Sequence, residues 1–197
     1  MTRRTALAYS TLAVLALGTG WALFVVMPRW YAEDSGSIVT PATSAESATR
    51  KIIARLFYVT EDGLHLAAVE REVVYGEGTV EQARQIIEAQ LGPAPAPYVT
   101  AIPSGTTLRT VFVSGQGEAY VDLSSEVSSA HPGGSVHELL TIYTIVDALT
   151  SNLPAITAVQ ILIDGREVDT LAGHVDLRRP LQGNTRWVAD TTAETKP

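Results

Sequence analysis

Apolar residues are distributed unevenly along the chain, and the longest apolar run lies near its beginning. Residues 5–27 carry no charge and would form a helix about 34 Å long at about 1.5 Å per residue. Since the hydrocarbon core of a bilayer is about 30 Å thick, such a helix spans it with some tilt. Trp21, Trp30 and Tyr31 lie at or beyond its outer end, where aromatic side chains anchor at the interface. The pattern predicts a transmembrane signal anchor within residues 1–30.

The charges on either side of this run indicate its orientation. Arg3 and Arg4 precede it together with the terminal amine, whereas Arg29 is followed by two acidic residues. This asymmetry favours an N-terminus inside the cell. A cleaved signal peptide is the alternative, but its apolar core is about 7–15 residues long and ends at a small-residue site. Residues 24–28 contain no such site, so an uncleaved anchor is the preferred interpretation.

Two polar segments delimit a single folded domain. Residues 31–49 are rich in Ser, Thr, Ala and Pro, which predicts a flexible linker because this composition buries little apolar surface. Residues 182–197 are also polar, and we expect a flexible C-terminal tail there. The domain is therefore predicted to span residues 50–181.

Inside this domain, strand-like and helical periods alternate. The predicted strands cover residues 51–59, 64–74, 108–114, 118–124 and 158–166, and the predicted helices cover 79–91 and 135–152. Each helix begins with the pattern of a capping box, formed by Thr79 with Gln82 and by Ser135 with Glu138. Residues 124–134 are predicted to be a loop. The order β-β-α-β-β-α-β predicts an α+β domain in which two helices pack on one face of a small mixed sheet.

Composition removes several classes of function. The chain contains no cysteine, which excludes a disulfide framework, a thiolate zinc site, a cysteine nucleophile and a lipidated cysteine anchor. The formal net charge is −7, and no run of Lys or Arg is longer than two residues. We therefore expect no nucleic-acid partner, because such a surface gains its affinity from basic side chains.

Several motifs inside the domain follow one another in a recognisable order. The strand segment LFYVTEDGLHL is followed by Arg71, the helix end LGP, the turn AIPSGT at 101–106 and the strand YVDLS at 120–124. The longest motif is GGSVHELLTIYTIVDALT, after which comes VQILIDGREVDTLAGHVDLRRPL. In their order and spacing these motifs resemble the GerMN domain, a bacterial module named for a sporulation and germination protein.

The resemblance implies a non-catalytic fold similar to the ring-building motifs of secretion and sporulation assemblies. It also implies an extracytoplasmic location, a membrane anchor before the domain and a role in envelope assembly. The chain differs from the founding member, since it has one copy of the domain rather than a tandem and no lipidated cysteine.

Candidate catalytic patterns are incomplete. His137 and Glu138 begin like the HExxH helix of zinc proteases, but Thr141 stands where the second histidine is required. Neither a G-x-S-x-G elbow nor an S-x-x-K motif is present. We predict no catalytic residue, no metal ligand and no cofactor, and Glu138 is interpreted as a capping-box partner.

Two short segments could bind a ligand. Gly133, Gly134 and Ser135 lead into a helix N-terminus, whose free N–H groups can bind an anion, although a tight turn requires the same glycines. His174 and Asp176 could share a strand face, and a metal site there would need Asp122 or Asp169 as a further ligand. The alternative, which we prefer, is that His174 and Asp176 hydrogen-bond the loop backbone around Gly173.

The sequence therefore predicts a scaffold or adaptor held at the bacterial inner membrane, with a domain that contacts envelope proteins or itself. The alternative is a module that binds cell-wall glycan or peptide and assists an amidase or another wall enzyme. Tyr98, Tyr120 and Tyr143 offer possible stacking surfaces for such a ligand, although the apolar helix face favours a core position for Tyr143.

Overall fold

The computed structural model describes residues 50–189. The predicted transmembrane helix at 5–27 and the linker at 31–49 lie outside these residues, as does the end of the chain from residue 190 onwards. Between residues 50 and 189, no helix is both long enough and apolar enough to cross a bilayer.

The first two strands form a regular antiparallel hairpin. Strand β1 spans Lys51–Val59 and strand β2 spans Leu66–Val74, and their residues pair one to one over the whole length. Asp62 holds the turn, because its carboxylate accepts a hydrogen bond from the backbone N–H of Leu64. The predicted limits of β1 agree with the structure, while β2 begins two residues later than predicted, since residues 64 and 65 belong to the turn.

Helix α1 spans Gly78–Gln90. Ala83, Ile86 and Ile87 are completely buried, because their spacing places them on one face of the helix. The apolar period therefore predicted the helix and its buried face.

The way in which α1 begins differs from the prediction. Its N-cap residue is Glu77, which makes no capping bond through its side chain, so Thr79 already lies inside the helix and the predicted capping box is wrong. Gln82 instead accepts the N–H of Gly76 and donates to the C=O of Val74. The side chain predicted to cap the helix therefore connects it to the end of β2.

Helix α3 spans Ser135–Asn152, as predicted, and packs against both β1 and the second sheet. It contributes many of the fully buried apolar side chains of the core, among them Ile142, Ile145 and Leu149. A short helix, α2, covers Glu126–Ser129 inside the segment predicted to be a loop.

Five strands form the second sheet. They are β3 (Leu108–Val113), β4 (Glu118–Leu123), β5 (Ala158–Ile163), β6 (Arg166–Glu167) and β7 (Leu181–Gln182). β3 and β4 form the predicted antiparallel hairpin, and β5 joins β4 in parallel after the chain passes through α3. The strand order is β3-β4-β5-β6, with β7 paired to β5.

The structure thus has two sheets, and the prediction of one sheet is wrong. The outer edge of β1 faces side chains instead of a strand of the second sheet. The amide of Asn152 bonds both backbone groups of Arg55, and the amide of Gln90 bonds both backbone groups of Phe57, at 2.7 to 2.8 Å. Side-chain amides near the ends of two helices therefore take the place of a neighbouring strand.

The folded part of the chain extends beyond the predicted domain boundary at residue 181. After β7, a short 3-10 turn covers Thr185–Trp187, and Val188 forms a parallel bridge to Leu66. Trp187 and Val188 pack against the core, so residues 182–188 belong to the domain rather than to a tail. Their few apolar side chains are spaced too irregularly to reveal this in the sequence.

Candidate functional site

The HPGG segment enters α3 through two glycines with positive φ. Gly133 has a φ of 81° and Gly134, the N-cap residue, a φ of 87°, a backbone conformation that glycine adopts without steric cost. Because the N-cap is Gly134 and no side chain caps the helix, the predicted capping box between Ser135 and Glu138 is wrong.

Glu138 is completely buried and fixes the 171–174 loop to the first turn of α3. Its Oε1 accepts the backbone N–H groups of Leu171 at 2.9 Å and Ala172 at 3.0 Å. Its Oε2 accepts the backbone N–H of His174 at 2.8 Å and lies 3.0 Å from Nδ1 of the same residue. The buried carboxylate is therefore well satisfied, and moving the loop away would leave a buried charge without partners.

The protonation of Glu138 follows from these contacts. Burial alone opposes the charged form, but the backbone N–H groups of the loop and His174 stabilise it more strongly, so that the pKa lies below its ordinary value. Glu138 is thus ionised at neutral pH, and its oxygens are engaged by the fold. This side chain serves to position a loop.

His131 secures the other side of the same helix entry. Its Nδ1 accepts the N–H of Gly133 at 3.0 Å, so in the neutral ring the proton is on Nε2, which lies 3.2 Å from the hydroxyl of Thr141. That hydroxyl donates to the C=O of Ala101 at 2.7 Å. Burial lowers the pKa of His131, which keeps the ring neutral at pH 7. These bonds connect the HPGG segment, α3 and the turn at residue 101.

An apolar pocket of about 240 Å³ opens beside this entry. Its apolar walls come from the end of β1, the turn at 99–103, the HPGG segment and α3. They include Val59, Val99, Ile102, Pro103, Pro132 and Leu140.

One residue that lines the pocket, and one that is next in the chain to a lining residue, have exposed apolar side chains. Val99, in its wall, is 57% exposed, and Leu64, next to the lining residue Gly63, is 54% exposed. The side chains of Thr100 and His137 are the polar ones in the lining. A concave apolar surface with few polar groups is typical of a place where an apolar group docks.

The structure brings only part of the predicted ligand loop together. Gly133, Gly134 and Ser135 lie at the N-terminus of α3, and His174 reaches the same turn through Glu138. Anion binding at this turn stays a prediction.

Asp176 points elsewhere. Its carboxylate accepts hydrogen bonds from the guanidinium of Arg178 and from the backbone N–H of the same residue, and these bonds lower its pKa. Of the two side chains expected to hydrogen-bond the loop backbone, that of Asp176 does so, at the N–H of Arg178. The side chain of His174 bonds Glu138 and not the backbone. In the part of the chain that the structure describes, no three His, Asp or Glu side chains converge to hold a metal ion.

A known protein family matches the larger part of this domain. The family model described as "Germane: Sporulation and spore germination" matches residues 55–169, from within β1 to just past β6. The chain belongs to this family. The resemblance to the GerMN domain is thereby confirmed.

Solved GerMN structures share the fold. The first GerMN domain of the sporulation protein GerM from Bacillus subtilis is 20% identical, covering 66% of this chain and 97% of that domain with a TM-score of 0.53. The tandem GerMN domains of the same protein are 17% identical, covering 68% of this chain and 46% of that structure with a TM-score of 0.53. The chain thus spans about half of the tandem structure. None of the curated proteins matches the chain.

Two of the GerMN motifs meet at one end of the five-stranded sheet. Asp122 of the YVDLS motif accepts the N–H of Gly165 at 2.7 Å and the Nε of Arg109 at 3.0 Å. Arg109 also bonds Asp164, at 3.3 Å, and both residues of the Asp164–Gly165 turn have positive φ. These motif residues therefore stabilise a tight turn.

The sequence did not reveal this contact. The Asp-Gly pair predicts a turn, but its partner Asp122 lies 43 residues away from Gly165 in the chain. Only the parallel pairing of β4 with β5 brings the two together.

Proposed function

We propose that this GerMN protein is a non-catalytic adaptor of the bacterial cell envelope. The helix predicted at 5–27 fixes it in the inner membrane, and the domain works on the extracytoplasmic side as part of a protein assembly. The observation that carries the proposal is the contrast between the carboxylates and the pocket. Glu138, Asp122 and Asp176 are all bonded within the fold, whereas the pocket beside α3 is open and apolar.

The docking partner in this proposal is an apolar side chain of another envelope protein. A polar metabolite would need several converging polar groups, and the lining offers few. An apolar side chain would gain about 25 cal/mol for each Å² that it buries there.

Site-specific photocrosslinking in cells that produce the full chain tests the docking surface. A photoreactive phenylalanine at Val99 is expected to give a crosslink to a defined envelope protein. The matched control is the same residue at Ile53, which is 62% exposed but lies six residues before Val59 on β1, about 20 Å from the pocket wall at about 3.3 Å per residue. Equal crosslinking from both positions, or none from Val99, would contradict a partner at the pocket.

The membrane part of the proposal has its own test. Alkaline carbonate washing of isolated membranes should leave the full-length protein in the pellet. Recovery of a shortened protein in the soluble fraction would show cleavage and remove the anchor from the proposal.

A specific observation also supports a second function, the binding of cell-wall glycan or peptide. On the open side of the β3–β4 hairpin, the rings of Phe112 and Tyr120 lie 6.1 Å apart, and Phe112 is 60% exposed. The two rings are inclined at 50° to each other, and the exposed ring of Phe112 offers an apolar face on which a sugar ring can stack. Tyr98 and Tyr143, in contrast, pack against the core.

Retention on purified peptidoglycan distinguishes the second function from the first. If the aromatic pair binds glycan, the wild-type protein is retained and Phe112→Ala is not, while Ile53→Ala behaves as wild type. Absence of retention of the wild-type protein eliminates this function and leaves the adaptor proposal unaffected.

A further inference from the structure

A short turn with two carboxylates borders the apolar pocket. It connects β1 to β2 over residues 60–65, with the sequence TEDGLH. Its Gly63 lines the pocket together with Val59. Glu61 and Asp62 directly precede Gly63, and both are exposed. We call residues 60–65 the acidic turn; it places two carboxylates next to the pocket wall.

Hydrogen bonds fix the conformation of the acidic turn. The N–H of Gly63 donates to the C=O of Thr60 at 2.9 Å, and the N–H of Thr60 donates to the C=O of His65 at 3.0 Å. Oδ1 of Asp62 accepts the hydroxyl of Thr60 at 2.5 Å and the N–H of Leu64 at 2.9 Å, while its Oδ2 lies 2.9 Å from Nδ1 of His65. The carboxylate of Asp62 therefore has a defined position, one residue away from the lining residue Gly63.

The same contacts keep Asp62 charged. The hydroxyl of Thr60, the N–H of Leu64 and the ring of His65 hold the pKa of this carboxyl well below its ordinary value. The acidic turn contains one Asp, one Glu and no Lys or Arg, so its formal charge is −2 with His65 counted as neutral.

The other segments that line the pocket do not offset this charge. Residues 99–103 and 131–137 contain no Asp, Glu, Lys or Arg. Glu138, which follows them, is completely buried and is bonded to the 171–174 loop. Among the lining segments, exposed fixed charge is therefore confined to the acidic turn, and it is negative.

The size of the pocket limits what can enter it. An apolar cavity of about 150 Å³ holds a benzene ring. The pocket has a volume of about 240 Å³, so it admits one large apolar side chain, such as that of leucine or phenylalanine. The residues on either side of such a side chain in a docking segment would stay outside the pocket.

We propose that the docking segment of the partner carries lysine or arginine beside the apolar side chain that it inserts, so that these basic residues lie opposite Glu61 and Asp62. Opposite charges across a contact select the correct partner and accelerate association. The inference rests on the proposed function, because it specifies the chemistry of the partner that the adaptor binds.

Four acetylated pentapeptides separate the two ideas. Three have phenylalanine at the centre and lysine, glutamine or glutamate on both sides of it, and the fourth has alanine in place of phenylalanine between two lysines. Each is titrated into the full chain held in nanodiscs of zwitterionic lipid, which does not attract basic peptides by net charge. The readout is the NMR shift of the methyl groups of Val99 and Leu140, both in the pocket wall.

The lysine peptide should bind about fivefold more tightly than the glutamate peptide at low salt, with the glutamine peptide between them. This ratio corresponds to about 1 kcal/mol, the size expected of two exposed ion pairs. At about 1 M salt, where the Debye length is about 3 Å, it should fall below about twofold. Glu61→Gln should reduce it to about twofold at low salt, whereas Glu88→Gln, on the exposed side of α1, should leave it unchanged.

Equal affinities of the lysine and glutamate peptides would overturn the inference and leave the apolar docking proposal standing. A preference for lysine that Glu61→Gln does not reduce would also overturn it, since the charge would then act elsewhere. Equal binding of the alanine and phenylalanine peptides, or no shift with any peptide, would remove the docking proposal and the inference together. The same methyl shifts on raising the protein concentration without peptide would show a second copy of the chain as the occupant, which also overturns the inference.

Discussion

Glu138 shows how a single buried carboxylate can fix the position of a distant loop. Glu138→Gln keeps the shape of the side chain but places an NH₂ group among backbone N–H donors. We expect the free energy of unfolding to fall by about 1.5–3 kcal/mol, the range for one hydrogen bond to a charged group. Urea unfolding of the full chain in detergent measures this change. Glu88→Gln, on the exposed side of α1, is the matched control and should alter it by less than about 0.5 kcal/mol.

The difference in stability between the wild type and Glu138→Gln should depend on pH, because the pKa of Glu138 is lowered in the folded protein. Because the pKa is lower in the folded than in the unfolded protein, the charged side chain contributes stability above the ordinary value of 4.5. That contribution is lost as the pH falls through the lower, folded value. The advantage of the wild type over Glu138→Gln should therefore shrink below about pH 4.5. An advantage that grew in acid would contradict the assignment.

Asp147 is a single residue whose pKa is shifted in the opposite direction to that of Glu138, because burial raises it. Its Oδ1 accepts the N–H of Asn184, whereas its Oδ2 has no partner among residues 50–189. The folded state therefore favours the protonated form, and stability decreases as the pH rises from the ordinary value of 3.8 through the raised pKa. Asp147→Asn, which cannot ionise, should gain about 1 kcal/mol at neutral pH and less in acid. The exposed Asp169→Asn serves as the control in urea unfolding, and destabilisation by Asp147→Asn at neutral pH would contradict the prediction.

At the scale of elements, the ends of two helices determine where the first sheet stops. Gln90 offers a donor and an acceptor to the backbone of Phe57, as a neighbouring strand would. Gln90→Met has a similar shape but leaves two buried backbone groups unsatisfied, so we expect a loss of about 2–4 kcal/mol. Gln85→Met, on a less buried position of the same helix, should stay within about 0.5 kcal/mol in the same thermal or urea unfolding experiment. Equal effects of the two substitutions would show that the amide does not close the strand edge.

The same elements show what the sequence could and could not predict. β1, α1, α3 and the β3–β4 hairpin follow from periods that are contained within each segment. The separation into two sheets depends on Gln90 and Asn152 reaching strand residues 33 and 97 positions away, which no local period contains. Glu138 matched the local pattern of a capping box, yet its partners begin 33 residues later. The residues of the pocket come from four separate segments, so the motifs that contain them do not indicate in the sequence that they line one surface.

At the scale of the whole molecule, α3 is one of two helices that join the sheets: α3 packs against β1 and β5, and α1 packs against β3 and the β1–β2 hairpin. Leu149 on α3 is completely buried, and Leu149→Ala should lower the free energy of unfolding by about 2–5 kcal/mol. Since both sheets rest on this helix, we expect the slowest-exchanging amides of β1 and of β4 to lose the same protection. Val136→Ala, at the partly exposed first turn of α3, is the control and should have little effect on either sheet. Loss of protection in one sheet alone would mean that the sheets unfold independently, and that α3 does not make the domain a single cooperative unit.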